Sequence, residues 1–111
     1  MIPIHFTTTT SAVALTQAGN FTDFWGAEAT NAKDTVYYIK LWWQGTSTSV
    51  PVIGTTKPTL TLAVQSGSTE RAYTDPVRYQ GPMWYAVTLN PADTDTTVLA
   101  TGGDVVTLFV G

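Results

Sequence analysis

An all-β chain folded as a single antiparallel sandwich is what this sequence predicts, on three observations. Threonine makes up about a fifth of the residues, and with Val, Tyr, Trp and Phe it supplies the branched or flat side chains that fit a pleated surface. Several stretches alternate with a period of two, while none sustains the helical period over three turns. Turn residues recur about every eight to twelve positions from residue 44 onward, the spacing of a sandwich of about seven to nine strands. At 11.9 kDa the chain exposes roughly 6,000 Å² when folded against roughly 17,000 Å² when extended. That supports one core, so residues 1–111 read as one domain.

Taken in order, "IPIHF" reads as a strand, which makes residues 1–10 an N-terminal arm or edge strand, and "SAVALTQ" reads as a second. The segment "QAGNFTDFWGAEATNAKD", 17–34, shows no clean alternation and is expected to be a long functional loop. The clearest strand is "VYYIKLWWQ", 36–44. Its lysine-free face of Tyr37, Ile39, Leu41 and Trp43 should point to the core, leaving Val36, Tyr38, Lys40 and Trp42 on the other face. "VPVIG", 50–54, is a short strand or edge, and "TLTLAVQ", 59–65, turns Leu60, Leu62 and Val64 inward before "SGST" reverses the chain. "TDPVRYQG", 74–81, is a short edge strand because Pro76 lacks an N–H for a ladder. "MWYAVTLN", 83–90, follows, and "TVLATGGDVVTLFVG", 97–111, reads as two strands broken at Gly102 and Gly103, with Val106, Leu108 and Val110 opposite Val105, Thr107 and Phe109.

The chemistry-bearing residues are sparse. Net charge is −3 with Lys33, Lys40, Lys57, Arg71 and Arg78 scattered along the chain, so nucleic acid is not expected as a partner. No apolar run is long enough for a membrane span, and "MIPIHFTTTT" has the form of no secretion signal. Without cysteine there is no thiolate ligand or nucleophile, and His5 alone cannot build a triad or an imidazole metal site. The carboxylates show no pairing of the kind glycoside hydrolysis requires. Gly102-Gly103 precedes a strand and therefore does not cradle phosphate. The chain is expected to be no enzyme and to carry no cofactor or metal.

Asp93 and Asp95 pose the one question of ligation. Calcium needs six to eight oxygens, and Asp93-x-Asp95 has neither a third acidic ligand nor a glycine near it. Pro91 suits the first residue of a helical turn capped by Asn90, with the aspartates near its N-terminal end, so turn chemistry is the expected role.

Four tryptophans and five tyrosines exceed what one sandwich core needs. Trp43 and Trp84 are assigned to the core. Trp42, with Tyr38 on the same strand face, and Trp25, beside Phe24 in the 17–34 loop, are left over. Either the loop folds back over the sheet, or these rings are exposed to grip a partner. Phe24, Trp25, Tyr38 and Trp42 are thus the candidate partner-binding residues.

"KPTLTLAVQSGS" followed by "GPMWYAVTLNPADTDT" and a glycine-broken pair of strands resembles the immunoglobulin-like β-sandwich domains of tailed-phage virion proteins. The resemblance covers residues 56–111 and departs at Pro82 and Met83, where the family tends to place glycine directly before Trp84. It implies an immunoglobulin-like sandwich acting as a non-enzymatic structural protein of a phage virion, assembled in the host cytoplasm. On that reading the chain is a capsid decoration or cement protein packing on the shell. Its expected partners are other virion subunits, the major capsid protein or a tail protein, or further copies of itself. The alternative is a carbohydrate-binding or adhesin module of a tail or fibre, with Trp25, Trp42 or Tyr38 stacking on sugar rings.

Overall fold

The computed structural model describes residues 2–8, 16–19, 23–32, 35–43, 45, 49–79, 81–100 and 102–111. Eight strands follow one another: β1 (Ile2–Thr7), β2 (Thr16–Gly19), β3 (Asp23–Asn31), β4 (Tyr37–Trp43), β5 (Leu60–Val64), β6 (Ser68–Arg78), β7 (Met83–Thr88) and β8 (Val105–Val110). They form two antiparallel four-stranded sheets, β1-β8-β3-β6 and β2-β7-β4-β5. The chain is folded in half, since β4 pairs with β5, β3 with β6, β2 with β7 and β1 with β8. This nested order is the double Greek key of the jelly roll. The antiparallel sandwich read from the alternation is present. Where an immunoglobulin domain sets its closing strand beside the preceding one, β8 here enters the other sheet between β1 and β3.

The core lies between the sheets and follows the two-residue period. Tyr37, Ile39, Leu41 and Trp43 of β4 face Phe24, Ala27 and Ala29 of β3 and Val106, Leu108 and Val110 of β8. Aromatic contacts tie the layers: Phe6 stacks on Tyr85 at 4.3 Å, Trp43 stacks on Tyr79 at 4.3 Å, and Phe24 meets Trp43 edge-on at 5.9 Å. Polar ties close one end, where the Tyr37 hydroxyl donates to Thr30 O at 2.6 Å and Asn31 Nδ2 donates to Val64 O at 3.1 Å. Burial, with Asp104 nearby as the lesser cause, pushes the Tyr37 phenol well above the ordinary tyrosine value.

Several expectations are corrected. The long loop foreseen over 17–34 contains the end of β2 and all of β3; residues 20–22, 33 and 34 lie outside the described residues. β3 escapes the alternation rule because its inward positions are small and because a bulge at Trp25 shifts its phase. Gly26, at φ +136, supplies a backbone shape closed to most residues. β6 is longer than expected and is an edge strand, as Pro76 suggested. Its residues 74–76 bulge against Trp25 alone, which removes Pro76 from regular pairing. Residues 50–54 and 97–100 form no strand, although Leu99 is buried in the core. Trp84, assigned to the core from sequence, is half-buried on β7.

Candidate functional site

Three surfaces compete for a functional role, and each is built from loops or alternate strand positions. The first is the outer face of β2-β7-β4-β5, where Lys40 and Trp42 were expected to meet solvent. Both are 1% exposed. Residues 49–59, between β4 and β5, and residues 89–104, between β7 and β8, fold across this face. Trp42 Nε1 donates to Thr56 O at 3.0 Å, and Lys40 Nζ donates to Ala92 O at 2.6 Å, with Asp95 O at 3.5 Å. The two loops touch where Gly54 lies against Thr94 and Thr96. Ala86 and Thr88, also on this face, are buried beneath them.

Lys40 has the kind of perturbed titration that marks many catalytic groups. Burial holds its ammonium below the ordinary lysine value, while Asp95 and then Asp93 pull in the opposite direction. Sealed under both loops and committed to backbone carbonyls, it pins the cover rather than meeting a substrate. The sequence did carry a signal for this burial: β4 places large apolar rings on both faces, as a strand covered on both sides must.

The aspartates serve the same cover. Asp95 accepts from Asn90 N at 3.1 Å, Asn90 Nδ2 at 3.1 Å, Thr97 N at 3.3 Å and Thr97 Oγ1 at 2.8 Å. Desolvation raises its pKa, but the hydrogen bonds outweigh it and hold the carboxyl below the ordinary aspartate value. Turn chemistry is therefore the role of Asp95, with the direction reversed: Asp95 receives the Asn90 N–H, and no helical turn starts at Pro91. Among the described residues, no three His, Cys, Asp or Glu side chains gather as a metal site would need.

The second surface is the outer face of β1-β8-β3-β6. Pro3, His5 and Thr7 of β1 are exposed, Val105 of β8 is 48% exposed, and Thr107 and Phe109 beside them are half-buried. His5 Nδ1 and Thr107 Oγ1 are hydrogen-bonded at 2.8 Å. On the β3 and β6 side, Arg78 pairs with Asp23 at 3.1 Å and Arg71 with Glu28 at 3.3 Å, both at the surface and worth little to stability. Trp25 stands in the β3 bulge, half-buried, and its Nε1 meets no acceptor among the described residues.

Of the four rings assigned to a partner, the structure keeps two available. Phe24 is 4% exposed and packs inward on Trp43, and Trp42 lies beneath the loop cover. Both corrections follow from packing: Phe24 is the inward neighbour of Trp25, and Trp42 is capped by residues far along the chain. Trp25 and Tyr38 remain half-buried, but they belong to opposite sheets and point away from each other. They cannot clasp one ligand between them.

The third surface is an open cleft of about 490 Å³ at one end of the sandwich, lined by Thr35, Val36, Gln65, Ser66, Leu89 and Asn90. It joins the β3–β4, β5–β6 and β7–β8 connections. Sequence reading missed it because its residues are brought together only by the nested pairing. Compared with known proteins, the chain matches no family model, no curated protein and no solved structure.

Proposed function

We propose that the chain is a non-enzymatic structural protein of a phage virion, a decoration or cement protein that docks on the shell through the outer face of β1-β8-β3-β6. One observation carries this reading: the two outer faces are treated differently, one with loops folded over its β4–β7 centre and the other left open with few charges on its β1–β8 half. A rigid double-layered body with an uncovered, weakly charged face has the form of a part that packs on neighbours, and low charge suits the centre of an interface. Jelly rolls recur in viral capsids and in lectins, an analogy of fold that supports the role without assigning it. Trp25, a half-buried ring in the β3 bulge, is the ring through which a partner would gain most.

Particles stripped of this protein and re-incubated with it provide the test, with occupancy read by electron cryomicroscopy. Trp25→Ala and Val105→Asp should lower occupancy while leaving the isolated fold intact. Full occupancy by both variants, or no binding by the native chain, ends the proposal. For the alternative of a carbohydrate-binding module with Trp25, Trp42 or Tyr38 stacking on sugar rings, Trp42 is buried and Trp25 and Tyr38 remain half-buried on opposite sheets.

A further inference from the structure

We infer that the cleft between the β3–β4, β5–β6 and β7–β8 connections is a binding site for a neutral saccharide. Its volume of about 490 Å³ falls within the range of small-molecule sites, about 300–1,000 Å³. Its lining has the chemistry a sugar needs. Val36 and Leu89, both half-buried, offer aliphatic surface for the C–H face of a ring. Thr35, Ser66 and Asn90 offer hydroxyls and an amide, groups that both donate and accept, as each sugar hydroxyl does. No charged side chain among the described residues lines the cleft, which suits an uncharged ligand.

Asn90 is the group prepared in advance. Its Nδ2 donates to Asp95 Oδ1 at 3.1 Å and to Thr97 Oγ1 at 3.5 Å, and its N–H donates to Asp95 Oδ2. Its carbonyl accepts from Thr88 Oγ1 at 2.9 Å. Both backbone groups and the amide nitrogen are thereby fixed, and the side-chain oxygen is left as the acceptor for a ligand hydroxyl. A polar group held by other contacts binds without losing rotamer freedom, which is what a shallow cleft needs to reach useful affinity. The opposite side of the β5–β6 turn carries a smaller recess of about 220 Å³ lined by Thr30, Asn31, Ala32, Gly67 and Thr69, again without charge among the described residues.

The site stands apart from the face assigned to shell docking, so the two tests fail separately. The experiment titrates the full chain with neutral hexose and N-acetylhexosamine oligosaccharides in solution, and screens the same sugars with sialylated and sulfated glycans on a surface. Neutral sugars are expected to bind in both formats. Thr35→Val, which removes one hydroxyl at nearly constant volume, should weaken binding about tenfold, as the loss of one good hydrogen bond does. Ser66→Trp, at an exposed turn position, should block the cleft with no change in melting temperature. Trp25→Ala should bind as the native chain does. Absence of neutral-sugar binding at millimolar concentration, a preference for charged glycans, binding that survives Ser66→Trp, or binding lost in Trp25→Ala overturns the assignment.

Discussion

The outer face of β2-β7-β4-β5 and the outer face of β1-β8-β3-β6 are built from strands with the same alternation, yet the centre of the first, at Lys40, Trp42, Ala86 and Thr88, is buried and the β1–β8 half of the second meets solvent. The difference lies in what the connections can reach. The β4–β5 and β7–β8 connections are long, and their described residues 49–59 and 89–100 reach across the first sheet, where Thr56, Ala92 and Asp95 meet Trp42 and Lys40. The turns at 65–67 and 79–82 are too short to cross anything. A strand face thus becomes core or surface by virtue of loop length as much as by its own residues. Trp42 and Lys40 are interior residues for a reason that lies outside their strand.

Substitutions on the two faces should separate accordingly. The largest effect is expected at the tryptophans: Trp42→Ala should cost about 3–5 kcal/mol in urea unfolding, as a fully buried indole does, whereas Trp25→Ala should cost under about 1 kcal/mol. Equal losses would erase the distinction between the faces.

Lys40→Glu comes next, with about 3 kcal/mol or more lost, because a carboxylate would be sealed against carbonyl oxygens and two aspartates. The titration of Lys40 gives a finer test. Its folded pKa is below the unfolded value of 10.5, so the unfolded chain binds more protons in that window and stability should rise there with pH. Tyr37 acts oppositely above pH 10, where the unfolded phenol ionises and the buried one does not, so stability falls. Comparing the native chain with Lys40→Met isolates the lysine's share, since the variant should lack the rise and keep the fall.

Gly54→Ala should cost about 1–3 kcal/mol, because the glycine has φ +86 and an added Cβ would stand 2.7 Å from Thr96 Cγ2. Its effect should be matched by faster hydrogen exchange at the Trp42 indole, and slow exchange there would separate loop contact from ring burial. The smallest effect is expected for Asp95→Asn, about 1 kcal/mol at neutral pH, for weakened hydrogen bonds at a partly solvated turn. Its pKa is lowered on folding, so this contribution is present above 3.8 and disappears as pH falls through the folded value. A constant gap between native and variant down to strong acid would contradict the role given to Asp95.

Much of the sandwich could be read directly from the chain. β4, β5 and β8 point the expected side chains inward, because β5 alternates large apolar residues with small or polar ones, while in β4 a lysine and in β8 a threonine mark the other face. β3 was hidden by Gly26, Ala27 and Ala29, which fill a close-packed layer without announcing it by size, and by a bulge that breaks the count. Lys40 was misplaced because a lone charge normally marks the solvent side. What overruled that rule was two backbone carbonyls supplied by residues 92 and 95, a pairing no local pattern encodes. The same holds for the cleft, whose six residues come from three separate connections.

Every ladder joins a strand from β1–β4 to a strand from β5–β8, and none joins two strands of the same half. Severed within residues 49–59, each fragment would hold four strands and not a single partner for them, so neither should acquire structure alone. Mixed together, the fragments are complementary along their whole length, which makes this chain a ready-made split reporter whose signal appears only when its halves meet.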